Sequence, residues 1–164
     1  MEGIGTMKGY RSGVLAAVAI TAVMVQPAQA QNVMASSPQS IEAVLKARGL
    51  PSELKQGEGN PYIRSAYDDM PFLVALMNCD DARTNCATLQ FYFGFNDRKD
   101  FSLEKLNEWN AKKRFVRAYR DDENDPVLVM DVDTDKGGIP QAVFNENLSV
   151  WLDQMQQYRR FVTE

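Results

Sequence analysis

Between residues 72 and 95 two apolar patterns follow each other that a sheet satisfies and a helix does not. From Ala87 to Phe95 every second residue is apolar, Ala87, Leu89, Phe91, Phe93 and Phe95, with Thr88, Gln90 and Tyr92 between them. An extended chain with that pattern turns one face to a core and the other away from it. From Phe72 to Met77 both alternating sets are apolar, Phe72/Val74/Leu76 and Leu73/Ala75/Met77, which is how a strand covered on both faces reads. The second face then needs cover from one of the protein's own helices or from another chain. Short extended segments at 53–57, 61–67, 71–78 and 86–95 are broken by Gly57, Gly59, Asn60-Pro61, Asp68-Asp69 and the Asp80–Asn85 loop, which makes an antiparallel meander. Two further segments, 114–121 and 126–133, form a hairpin around Asp121 to Pro126.

Three helices frame these strands. The first opens with Pro38 after the cap Ser37, carries Ile41, Val44 and Leu45 on one face, and stops at Gly49. The second starts after Ser102, with Phe101 and Leu106 placed as a hydrophobic staple. At 100° per residue Leu103, Leu106 and Trp109 point inward, and Asn107 and Asn110 lie on or beside that side. Buried amides need hydrogen-bond partners, so these two are expected to tie the helix to a strand's backbone. The third is opened by Pro140 and carries Phe144, Leu148, Trp151, Met155, Tyr158 and Val162 at spacings of four and three. Its stripe is too short in heptads for a coiled coil, which favours a helix lying across a sheet over a seam for a partner helix. The expected class is α+β, an antiparallel sheet of five or six strands flanked by three helices.

The first thirty residues read as a secretory signal peptide. Lys8 and Arg11 precede an apolar run from Val14 to Val25, and Ala28-Gln29-Ala30 supplies the small-residue cleavage site. Twelve residues on a helix cover about 18 Å, short of a bilayer core of roughly 30 Å, so the segment is expected to be cleaved after about Ala30 and not kept as an anchor. The mature chain is expected to be periplasmic, with a flexible terminus at 31–37 and one domain over 38–164. In an oxidising compartment Cys79 and Cys86, with six residues between them, are expected to be bonded to each other as a structural disulfide.

Composition removes several function classes. The chain has no histidine, which takes away Ser/His/Asp and Cys/His catalysis, imidazole bases and nearly all zinc sites. The formal net charge is −4, and it disfavours nucleic acid and anionic lipid, which need clustered cations. Lys112, Lys113, Arg114, Arg117 and Arg120 make only a short basic stretch before an acidic one. Asp131-x-Asp133-x-Asp135 before Gly137-Gly138 suggests a calcium loop, but the sixth and twelfth positions hold Lys136 and Ala142 in place of Gly and Glu. No metal, cofactor or catalytic residue is therefore expected.

Asn107-Glu108-Trp109-Asn110, then Arg114-Phe115, Ala118-Tyr119 and Asp121, then Pro126-Val127-Leu128 through Asp131 to Gly137-Gly138, resemble the YbjN family of bacterial sensory transduction regulators. The Cys79/Cys86 pair leading into Leu89-Gln90-Phe91 resembles its exported, disulfide-bearing members. The resemblance spans residues 38–162. It implies a fold like that of type III secretion chaperones and no established catalytic residue, and it marks Asn107, Trp109, Asn110, Arg114, Phe115, Tyr119 and Asp121 as motif positions. The leading expectation is an exported, non-enzymatic, chaperone-like module that docks a protein or peptide partner, or a second copy of itself, through Leu73, Ala75, Met77 and Tyr92. Its motives are the doubly apolar strand and the apolar stripe of the last helix. The alternative is a small hydrolase using the carboxylates of 121–135, which requires two of them in one concave pocket.

Overall fold

A computed structural model describes residues 32–57 and 59–164; the expected leader and its cleavage site lie outside them. The elements run α1 (Pro38–Ala47), β1 (Ser52–Lys55), β2 (Tyr62–Tyr67), β3 (Met70–Cys79), β4 (Cys86–Gly94), α2 (Leu103–Lys112), β5 (Arg117–Arg120), β6 (Pro126–Asp133) and α3 (Gln141–Thr163). The strands form one antiparallel sheet in the order β1-β2-β3-β4-β6-β5. The α+β class and the three helices around six strands are as expected.

One face of the sheet makes the core. The apolar row Ile63, Val74, Phe91 and Met130 crosses β2, β3, β4 and β6 in register, and α3 lies over it with Phe144, Leu148, Trp151, Met155, Tyr158 and Val162 all buried. Trp151 stacks on Phe91 at 5.5 Å and meets Phe72 edge-on at 6.2 Å, while Phe144 stands 6.0 Å from Phe91. Aromatic contacts of this kind add about 0.5–1.5 kcal/mol each beyond area burial. Ile41, Val44 and Leu45 of α1 and Leu106 and Trp109 of α2 join the same cluster. The stripe of α3 is thus consumed inside the molecule, against the sheet, and is no seam for a partner.

Four local expectations fail for identifiable reasons. Residues 32–37 are not a loose terminus: Val33 exchanges backbone hydrogen bonds with Ile139 at 2.8 and 3.0 Å, the Ala35 N–H donates to Thr134 Oγ1, and both residues are fully buried. Gly138 permits this approach, since its φ is +82° and a Cβ there would stand 2.6 Å from the Val33 carbonyl oxygen. Ser37 precedes α1 without a side-chain cap bond, and its carbonyl accepts from Ser40 instead. Leu103 is 60% exposed and Asn107 is exposed, so the inward face of α2 narrows to Leu106 and Trp109. The fifth extended segment begins at Arg117, not 114, because Phe115 has φ +70°.

Trp151→Ala removes the ring that bridges α3 to β3 and β4. Urea denaturation is expected to show a loss of about 3–5 kcal/mol, a large share of the total stability of a domain this size.

Candidate functional site

Among the described residues no helix lies on the second face of the sheet: the buried apolar residues of α1, α2 and α3 all belong to the core cluster. Because side chains alternate, the residues of β3 between those in the core point to this face, and the register sets Leu73 opposite Arg64 and Tyr92, Ala75 opposite Gln90, and Met77 opposite Thr88. Leu73, Ala75, Met77 and Tyr92 are all half-buried. Of the two sources of cover expected for the second face of Phe72–Met77, a helix of the chain's own is not found among the described residues, where helix cover lies on the Phe72/Val74/Leu76 side. Val127 and Val129 of β6 also face this side and are fully buried, yet they stand outside the main core cluster; neighbouring side chains of β4 and β5 shield them.

Tyr92 does much of that shielding. A Cβ on Gly94 would meet Tyr92 Oη at 3.0 Å and Val127 Cγ1 at 3.1 Å, so the missing side chain at 94 lets the Tyr92 ring lie along the strand against Val127. Beside it a groove of about 410 Å³ is lined by Arg64, Pro71, Leu73, Tyr92, Phe95 and Asn96. Burial pushes the Tyr92 hydroxyl up to about 12, helped by the carboxylate of Asp121, then Tyr119, Asp125 and Glu123. A lone glycine inside a period-two strand was the available sequence signal for this close approach.

Three of the seven motif positions, Trp109, Asn110 and Asp121, hold α2 and the β5–β6 hairpin. Trp109 is buried, 4.9 Å from Tyr158 and 5.2 Å from Phe161. Asn110 ties the helix to a strand as expected: Nδ2 donates to the Ala118 carbonyl at 2.9 Å and Oδ1 accepts from the Ala118 N–H at 2.7 Å. β5 is an edge strand, so this amide closes its outer side. Asp121 shapes the hairpin turn, its Oδ1 accepting from the N–H groups of Glu123 and Asp125. Asn107 is exposed, and Arg114, Phe115 and Tyr119 face solvent, Phe115 being 69% exposed. Cys79 and Cys86 are bonded and sit opposite each other across β3 and β4. Asp80 organises the loop they close, and the Thr84 N–H, the Asn85 side chain and the Asn85 N–H hold its carboxyl below its ordinary range.

The carboxylates of 121–135 are spread over turns and strand faces. Asp131 pairs with Gln90 at 2.6 Å and Arg117 at 3.3 Å, Asp133 accepts from the Asp135 N–H, and buried Asp125 accepts from the Arg98 N–H. None of them lines the groove on the open face. Among the described residues no three His, Cys, Asp or Glu side chains are grouped to hold a metal ion. The concave site that the hydrolase reading requires is not formed by these acids.

Residues 37–164 match the YbjN family, described as "Putative bacterial sensory transduction regulator". No curated protein matches the sequence. Among solved structures the chain is similar to the Yersinia pestis type III secretion chaperone SycH, solved in complex with a stable fragment of YscM2, at 15% identity and a TM-score of 0.47 over 71% of this chain and 93% of that one.

Two outcomes test this geometry. Asn110→Ala leaves both polar groups of Ala118 without their partner, and is expected to cost about 1–3 kcal/mol and to add concentration-dependent association through the opened edge, read by urea denaturation and light scattering. Tyr92 is neutral in the folded protein above the pH at which an unfolded tyrosine ionises, so its share of stability is complete below about pH 10 and is lost as pH rises toward 12. Tyr92→Phe is expected to make the alkaline loss of stability shallower in denaturation curves taken between those values.

Proposed function

From the membership of this chain in the YbjN family, we propose that it is an exported, non-enzymatic module that docks a protein or peptide partner on the open face of its sheet. The observation that carries this reading is the half-buried apolar row at Leu73, Ala75 and Met77, over which no helix lies among the described residues. Antiparallel sheets commonly leave one face in water, but that face is then regularly polar; here its centre is apolar and its borders are charged, with Glu53 and Arg64 to one side and Arg117 and Asp131 to the other. An apolar centre inside a polar rim is the composition of a protein interface. The partner's apolar side chains enter the groove between Leu73 and Tyr92, and the rim sets their register.

Export rests on the leader pattern at 1–30 and agrees with the Cys79–Cys86 bond, which persists in an oxidising compartment. Among the described residues no helix is long and apolar enough to cross a membrane. The absence of histidine and the dispersal of the 121–135 carboxylates support a binding role over a hydrolytic one.

Leu73→Asp places a charge at the centre of the face without touching the core. Crosslinking of periplasmic extracts with the wild-type chain is expected to give one discrete adduct that Leu73→Asp loses, while the melting temperature moves by less than about 2 °C. An adduct retained in full by Leu73→Asp would remove the open face from the reading, and fractionation of the protein with the cytosol would remove export.

A further inference from the structure

The junction of α2 and β5 holds a feature that neither folding nor the open face accounts for. Phe115 has φ +70° and is 69% exposed. A bulky aromatic in the left-handed region is strained, and an exposed ring forgoes the burial that stabilises a fold. Two such departures at one residue point to a requirement other than folding. Arg114 lies over the ring, its guanidinium carbon 5.2 Å from the centroid. Lys112 is paired with Glu108 and Arg117 with Asp131, but Arg114 has no hydrogen-bond or ion-pair partner among the described residues.

Lys113, two residues before Phe115 and so within about 7 Å of it along the chain, lines a cleft of about 410 Å³ between α2 and α3 with Glu108, Trp109, Lys112, Gln157, Arg160 and Phe161, the Glu108 carboxylate being taken up by Lys112. Lys113 Nζ stands 5.1 Å over the Trp109 ring and donates to Gln157 Oε1. In a chain of net charge −4, Lys113 and Arg160 thus stand beside Trp109 and Phe161 in the cleft, and Arg114 is the next residue along the chain. The negative end of the α2 dipole explains one cation in its last turn. It explains neither Arg160 on another helix nor the exposed ring.

We propose that the α2–α3 cleft and the Arg114–Phe115 knuckle bind a segment of a partner protein in which carboxylates flank an apolar or aromatic side chain. The apolar side chain packs at the Phe161 wall of the cleft, and the exposed Phe115 ring gives it a second apolar surface. The carboxylates take the planar fork of Arg114 and the guanidinium of Arg160, groups suited to bidentate pairing. A flat anionic membrane fits less well, because the acidic run Asp121, Asp122 and Glu123 begins four residues past Arg117, about 13 Å along the strand. This site is independent of the open face.

The test uses the chain without its leader and fluorescent synthetic peptides carrying Phe or Leu between pairs of Glu. Controls replace Glu by Gln or the apolar residue by Ala, and a parallel arm uses vesicles of phosphatidylglycerol and phosphatidylcholine. Expected results are saturable binding of the acidic apolar peptides, weakened about tenfold or more by either control replacement, by Arg114→Gln and by Phe115→Gly, and reduced by added salt. Phe115→Gly is expected to keep or raise the melting temperature, since glycine accepts the backbone conformation that phenylalanine resists, and Leu73→Asp is expected to bind the peptides normally. Equal binding of the Gln peptides, binding of vesicles but not peptides, or no binding at all would overturn the proposal. So would a fall of more than about 5 °C for Phe115→Gly, which would make the ring a structural element, or peptide binding that Leu73→Asp abolishes and Phe115→Gly leaves intact.

Discussion

The contact of Trp151 with Phe91 and Phe72 decides the layout of the molecule. It seats the one long helix across β3 and β4, and it fixes which face of the sheet becomes the interior. Once that face is chosen, α1 and α2 find their apolar residues a place in the same cluster, because a second core of useful size cannot be built from two ten-residue helices. All three described helices go to one cluster, and no described element layers the opposite face of the sheet. The uncovered face follows from the division of a small apolar inventory and is not an irregularity of β3.

That face survives in water through its own side chains. Tyr92 folds along β4 over Gly94 and shields Val127, Arg117 reaches Asp131, and Gln90 bonds the same carboxylate. The result is a polar frame around a narrow apolar centre, so the half-buried residues there are individually tolerable to solvent. The stacking of Arg117 on Tyr119 at 5.7 Å continues this frame to the edge strand. At Phe115 the same device, a guanidinium over an aromatic ring, leaves the ring mostly exposed, which separates a shielding pair from a presented one.

The parts legible in the sequence are those governed by short-range periodicity. The stripe Phe144 to Val162 announced α3 in full, Leu89, Phe91 and Phe93 announced the core face of β4, and the amide of Asn110 beside Trp109 announced a bond to a strand. What escaped depends on long-range placement. Val33 and Ala35 carry no pattern of their own, and their burial comes from Ile139 and Thr134, the latter 99 residues from Ala35. Leu103 sits at the right angle on a helical wheel but at the first turn, beyond the reach of the core. The double apolar run 72–77 left open whether a helix of this chain or another chain covers the second face, and the pattern could not tell that the described helices all pack on the first. Of the motif residues, the tie made by Asn110 was readable from side-chain chemistry, but the exposure of Phe115 was not, since it arises from a backbone conformation that no residue type there signals.

The closure of the β5 edge limits how anything can bind at that end of the sheet. Adding a strand to an edge requires its free N–H and C=O groups, and the Asn110 amide holds both groups of Ala118 while Arg120 reaches the Phe101 carbonyl. β5 is also only four residues long, so once its middle is closed too little main chain remains to guide an incoming strand. Recognition there must therefore run through side chains, and those presented are Arg114, Phe115, Arg117 and Tyr119. The amide that fixes α2 to the sheet thus serves a second end: it closes what would be an adhesive edge and leaves side chains as the groups presented there.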